Sequence, residues 1–153
     1  MSPPEPSPKI TVKAIHGRKG KEKIVALTAY DFPYAKILDE TGIDIILVGD
    51  SLGMVLLGYD STVRVTLREM LHHTKAVSRA VKRSLLVSDM PFGSYQASVD
   101  HAYRSAHRLV QEGGADAVKL EGGERVAKTV AKLVRSDIPV MGHLGMTPQT
   151  ASS

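Results

Sequence analysis

A parallel α/β fold, with short buried strands alternating with helices, is what this 153-residue sequence predicts. Three observations carry that expectation. Five short apolar runs each end in polar residues, at 24–29, 43–48, 85–87, 117–118 and 139–141. Capped stretches of helical period lie between them. Carboxylates, a lysine and an imidazole (Asp31, Asp50, Asp89, Lys119, Glu121 and His143) fall at or just past the C-terminal ends of those runs. Parallel α/β folds build their sites at that end of the sheet.

The elements follow in order. Residues 1–8 carry four prolines, fit neither a ladder nor a helix interior, and are expected to form a disordered tail. A short helix is expected over 11–18, stopped by Gly17 or Gly20. The first strand is 24–29; Asp31 then caps a helix with Pro33 in its first turn, Ala35, Ile37 and Leu38 inward, and Gly42 as its stop. The second strand, 43–48, is apolar apart from Asp44, as expected of a strand covered on both faces. A long connection over 49–65 exceeds the usual βα loop and is expected to carry a small hairpin, 54–57 against 62–65.

Thr66 and Glu69 form a capping box ahead of a helix with Leu67, Met70, Leu71, Thr74, Val77 and Val81 in period. The third strand is 84–88. A helix then starts near Ser98, with Val99, Ala102, Tyr103, Ala106, Leu109 and Val110 on one face and Gly113-Gly114 as its stop. The fourth strand is 117–120, followed by a helix over 124–134 with Val126, Val130, Leu133 and Val134 inward. The fifth strand is 139–143, and 145–153 reads as a loop. Such a βα succession fits an open sheet or part of a barrel.

Composition narrows the class. A hydrophobic share of 42% and a charged share of 24% are those of a soluble globular chain. The absence of cysteine removes disulfides and thiolate zinc sites, so any metal must be held by oxygen or imidazole. No apolar run approaches the ~20 residues of a membrane span, and the N-terminus lacks a signal pattern, so a cytoplasmic location is expected. The net charge of +4 gathers in Lys9, Lys13, Arg18, Lys19, Lys21 and Lys23. That cluster has no interleaved aromatic residue, which favours a solvated face over a nucleic-acid surface.

Asp50 and Asp89 are the central pair, each at the end of an apolar strand where an unpaired carboxylate is costly to bury. Two converging carboxylates suit a hard cation such as Mg²⁺, which keeps waters or substrate oxygens in its shell. The competing reading is that each caps the next helix or loop. Lys119 and Glu121 share one side of their strand by period 2, so a lysine lies one layer below a glutamate. Lys119 is then a counter-ion for a substrate carboxylate or a structural partner of one of these acids. Ser51 offers a hydroxyl beside Asp50, or is a turn residue. His143, at the end of the fifth strand, can donate a hydrogen bond or a proton. His72, His73, His101 and His107 fall on helices and are expected on solvated or packing faces. Gly122-Gly123 before a helix is only a weak anion-site signal. These residues together describe metal-assisted chemistry on a small anionic substrate.

Five ordered strings sharpen this: KIVALTAYD at 23–31, VGDSLGM at 48–54, SDMPFGSY at 88–95, AVKLEG at 117–122 and GHLGMTPQ at 142–149. Together they resemble the ketopantoate hydroxymethyltransferase family, over about residues 10–153. The resemblance implies a (βα)₈ TIM barrel, here an incomplete one of about five βα units. It also implies Mg²⁺ dependence, cytoplasmic homo-oligomers (decamers in the family) and transfer of a hydroxymethyl group from 5,10-methylenetetrahydrofolate to 3-methyl-2-oxobutanoate in pantothenate synthesis. On that resemblance Asp50, Asp89 and Glu121 form the metal corner. Ser51 and Lys119 hold the substrate carboxylate, and His143 lines the pocket. Asp50 and Asp89 would also contact the substrate through the metal.

The same resemblance places the family's catalytic base on a glutamate of a later strand, beyond Ser153, so a C-terminally truncated barrel with little or no activity alone is expected. Five strands do not close an eight-stranded barrel, and the first and fifth strands are expected to present open edges. Two further readings stand beside it. One is a Mg²⁺-dependent 2-oxo-acid barrel of the phosphoenolpyruvate mutase and isocitrate lyase group; the other is a non-catalytic fragment that self-associates.

Overall fold

A computed structural model describes residues 8–151. The expected tail over 1–8 lies outside the described residues except for Pro8, which is exposed and in neither helix nor strand. The chain runs α1 (Val12–Gly17), β1 (Ala26–Thr28), α2 (Phe32–Glu40), β2 (Ile45–Val48), α3 (Leu52–Val55), a 3₁₀ turn (Thr62–Arg64) and α4 (Leu67–Ala80). It continues through β3 (Leu85–Asp89), α5 (Val99–Gln111), β4 (Ala117–Glu121), a second 3₁₀ turn (Gly123–Val126), α6 (Ala127–Arg135) and β5 (Val140–His143). None of these helices is long and apolar enough to cross a membrane.

Helices α2, α4 and α5 start where the sequence placed their caps. Asp31 accepts from the Tyr34 N–H at 2.8 Å, and Ser98 accepts from the His101 N–H at 3.1 Å. Thr66 and Glu69 bond reciprocally as a capping box, satisfying N–H groups that a helix leaves open at its first turn.

All five strands are parallel, in the order β1-β2-β3-β4-β5. Side-chain alternation divides the sheet into two faces. One face, with Ile46, Val48, Leu86, Val118 and Leu120, packs in a single core with Ala35 and Leu38 of α2, Met70 and Val77 of α4, Ala106 and Leu109 of α5, and Leu133 of α6. The other face, with Ile45, Leu85, Val87 and Ala117, packs on Ile10 and on Val12 and Ile15 of α1. Sequential strand order with α2, α4, α5 and α6 all on one side is the winding of a barrel arc; a doubly wound sheet reverses its order and covers both faces with crossover helices. Helix α1 floors the inner face at its N-terminal end.

Several expectations need correction. The 54–57/62–65 hairpin is absent: residues 52–55 form α3 and 62–64 a 3₁₀ turn. Close packing selects this, because a Cβ on Gly53 would stand 2.5 Å from Val65 Cγ2 and 3.2 Å from the Tyr59 ring. Gly53→Ala is therefore expected to cost about 1–3 kcal/mol through overpacking, read as a lower urea midpoint at unchanged slope.

Strand bounds also move. The first begins at Ala26 and the second at Ile45, while the third and fourth extend to Asp89 and Glu121. The helix expected over 124–134 divides into the second 3₁₀ turn and α6. Ile37 and Val134, read as inward, are 58% and 53% exposed. They sit on the first and last helices of the arc, beyond which no further βα unit packs among the described residues. Strands β1 and β5 are correspondingly the open edges of the sheet. Two of the basic cluster are not merely solvated: Lys9 pairs with Asp116 at 2.7 Å, and Arg18 pairs with Asp44.

Candidate active site

The inner face becomes polar at its C-terminal end. Period 2 carries Leu85 and Val87 on to Asp89, Ala117 on to Lys119 and Glu121, and Met141 on to His143. Parallel register sets Asp89 beside Lys119 and Glu121 beside His143. The carboxylates of Asp89 and Glu121 are each 5% exposed, and Lys119 Nζ is bonded to Asp89 Oδ1. Asp89 Oδ2 accepts from the backbone N–H of Asp50 at 3.0 Å, which brings the end of β2 over β3. Gly49 permits this approach, since a Cβ there would lie 2.9 Å from Ser51 Oγ and 3.4 Å from Asp89 Oδ2.

Asp50 is buried at the same corner. Burial, then the charge of Asp89, pushes its carboxyl up to about 6, as expected when like charges share a desolvated site. His143 Nδ1 is buried and stands 3.2 Å from Glu121 Oε1, within ion-pair distance though without the alignment of a hydrogen bond. Ser51 Oγ lies 2.9 Å from the Tyr30 hydroxyl, and the Tyr30 carbonyl lies 2.7 Å from His73 Nδ1.

All six residues expected at the site (Asp50, Ser51, Asp89, Lys119, Glu121 and His143) thus lie on the carboxyl ends of β2, β3, β4 and β5 or directly after them. Sequence reasoning missed Gln149 and Tyr95. Gln149 bridges Asp50 and Glu121 from the turn after β5, and the Tyr95 hydroxyl donates to Gln149 Oε1 at 2.6 Å. Both belong to strings quoted above, SDMPFGSY and GHLGMTPQ, and that was their only signal. His73 is half-buried on α4 and its Nδ1 meets the Tyr30 carbonyl.

No three acidic or imidazole side chains converge closely enough to enclose a metal ion among the described residues. Glu121 is linked to the Asp50–Asp89 pair through Gln149 and not directly. The donor chemistry nevertheless fits Mg²⁺, which takes one or two protein carboxylates and fills its remaining positions with water or substrate oxygens. Asp50 and Asp89 share one buried corner in which Lys119 is bonded to Asp89, and a divalent cation would relieve the repulsion between the two carboxylates. A cavity of about 370 Å³ opens beside the corner, its lining including Tyr95, Val99, Glu121, Arg125, Val126 and Lys128.

Comparison with known proteins identifies the family. Residues 9–153 match the family model described as ketopantoate hydroxymethyltransferase. The 3-methyl-2-oxobutanoate hydroxymethyltransferase of Thermoanaerobacter sp. (strain X514) is 64% identical over 133 residues, covering 87% of this chain and 48% of that protein. The protein of the same name from Syntrophus aciditrophicus is 56% identical over 151 residues, covering 98% and 56%. That of Thermus thermophilus is 59% identical over 142 residues, covering 93% and 54%. The chain therefore spans about half the length of the curated relatives it matches.

Among solved structures, 2,3-dimethylmalate lyase, a phosphoenolpyruvate mutase/isocitrate lyase superfamily member, aligns with TM-score 0.62 at 16% identity, covering 87% of this chain and 51% of that one. Oxaloacetate acetylhydrolase aligns with TM-score 0.63 at 15% identity, covering 89% and 53%. At such identities the likeness is one of fold.

Proposed function

Because the chain belongs to the ketopantoate hydroxymethyltransferase family, we propose that its polar corner binds Mg²⁺ and 3-methyl-2-oxobutanoate. There the oxo acid is the acceptor of a hydroxymethyl group from 5,10-methylenetetrahydrofolate, giving 2-dehydropantoate. The observation that carries this is the arrangement of Asp50, Asp89 and Glu121 against a single ammonium, Lys119, at the carboxyl ends of adjacent parallel strands.

Asp50 and Asp89 would hold the cation, with Glu121 at or just outside its ligands. Bound there, Mg²⁺ supplies Lewis acidity that makes the proton on C3 of the oxo acid easier to remove. Lys119 has three N–H donors, so it can keep Asp89 and still reach a substrate carboxylate. The Ser51 hydroxyl, steadied by Tyr30, is a second donor to that carboxylate. His143 lines the pocket beside Glu121. No described residue is assigned as the base that takes the C3 proton. The adjacent cavity, with Arg125 and Lys128 on its wall, has space and charge suited to an anionic co-substrate. Exposed apolar side chains at Val55 and Leu56 support a homo-oligomer, and the family resemblance supports work in the cytoplasm.

Titration calorimetry tests the reading. 3-Methyl-2-oxobutanoate should bind the chain in Mg²⁺ and lose at least about tenfold in affinity when the metal is chelated. Equal binding with and without metal would overturn the assignment. A Mg²⁺-dependent 2-oxo-acid lyase of the structural neighbours' kind is the second reading, favoured only by the shared fold. Product formation that requires the folate separates the two.

A further inference from the structure

We infer that Gln149 and Tyr95 are positioning residues that set the carboxylates of Asp50 and Glu121 for a divalent cation; this rests on the metal-binding reading above. Gln149 is 4% exposed in the turn after β5. Its Nε2 donates to Asp50 Oδ2 at 2.7 Å and to the Met90 carbonyl at 3.0 Å. Its Oε1 accepts from the Tyr95 hydroxyl, and its backbone N–H donates to Glu121 Oε2 at 3.2 Å. Every polar atom of the side chain is engaged, and one residue ties an oxygen of each carboxylate.

The Met90 carbonyl decides which way the amide faces, because it can only accept and so requires Nε2 on its side. The Tyr95 hydroxyl then donates to Oε1 and holds the amide in that orientation, with both Nε2 hydrogens on the Asp50 carboxylate and the Met90 carbonyl. The same hydroxyl accepts from the backbone N–H of Glu121 at 3.3 Å, coupling the amide to β4. The tether is also neutral. A lysine in its place would compete with a cation for the charge of Asp50, and a carboxylate would repel it. An amide fixes rotation and leaves the charge. The side-chain amide occupies Asp50 Oδ2 and the backbone N–H occupies Glu121 Oε2, so Asp50 Oδ1 and Glu121 Oε1 keep set directions. Partners of this kind commonly govern metal affinity by about 10–100-fold.

Mn²⁺ is the probe, its free fraction read by electron paramagnetic resonance on the whole chain. Gln149→Met should raise the Mn²⁺ Kd at least about tenfold, with far-UV circular dichroism unchanged. Tyr95→Phe should raise it by a smaller factor. In the Gln149→Met background, Tyr95→Phe should cost less than it does alone, because the hydroxyl's bond to the amide is already gone; a merely structural tyrosine would not show this loss of additivity. If the parent binds Mn²⁺ and both single variants bind it equally well, or if the two effects multiply in full, the inference is overturned while the metal reading stands. Should Gln149→Met fail to fold, an unchanged Kd in Tyr95→Phe overturns it alone. A parent chain that does not bind Mn²⁺ removes the metal reading, and this inference with it.

Discussion

Replacing Asp50 by asparagine should abolish Mg²⁺-dependent binding of 3-methyl-2-oxobutanoate and at the same time raise the melting temperature. Both effects come from one cause. Burial and the neighbouring Asp89 push the Asp50 carboxyl up to about 6, so at neutral pH the fold carries an ionised group against its environment. An amide removes the charge and can still accept from Gln149 Nε2. The expected gain is about 0.5–2 kcal/mol, the usual return from relieving a functional site, or a few degrees in Tm. Affinity for the oxo acid in Mg²⁺ should fall by at least about 100-fold, more than removal of an outer partner costs.

Asp89→Asn should lose binding equally but move stability the other way. Lys119, its side chain 14% exposed, would keep its charge and lose its ionic partner. Breaking a largely buried pair from one side destabilises by about 2–4 kcal/mol. Calorimetry with thermal melts reads both pairs of outcomes. If Asp50→Asn retains binding, the metal assignment is wrong. If the two variants shift Tm in the same direction, the charge balance described for the corner is wrong.

What could be read ahead of the structure depended on how local its cause was. Caps at Asp31, Thr66 and Ser98 are decided within four residues and stand as expected. Period 2 places Lys119 and Glu121 on one face of β4, because alternation is a property of the strand alone. The 49–65 connection departs from its expected hairpin because its conformation is set by packing of Gly53 against Val65 and Tyr59, not by pattern; Met54 and Val55 are 51% and 69% exposed, so no alternation exists to read. Gln149 lies 99 positions from the carboxylate it holds. No local period encodes such a bond, and a glutamine in a polar turn carries no outward sign of it. Ile37 and Val134 follow helical period correctly, but period specifies a face and not whether anything lies against it.

Mg²⁺ should raise the melting temperature little at pH 5 and by its full amount above pH 7. Metal must displace the proton from Asp50, whose carboxyl titrates near 6, so apparent affinity falls by about tenfold per pH unit below that point. The metal-free chain should respond oppositely over part of this range. Its folded state holds the Asp50 proton more tightly than the unfolded chain, where the carboxyl has its ordinary value of 3.8. Between those values the folded state binds more protons, so this group's contribution to stability is lost as pH rises from about 4 to 6. Asp39 and Asp44 act below that window. Burial opposes ionisation of Asp39, but N–H donors of Ser84, Lys82 and Arg83 outweigh it and hold the carboxyl low. The Val25 N–H, against burial, and Arg18 do the same for Asp44. Their contribution is present above the ordinary carboxylate range and lost as pH falls through it. The metal-free chain should therefore be most stable near the lower edge of the 4–6 window and decline on both sides, while the Mg²⁺ increment climbs through it. In Asp50→Asn the decline from pH 4 to 6 and the climbing increment should both vanish. A Mg²⁺ increment equal at pH 5 and pH 7 in the parent would show that Asp50 does not hold the metal.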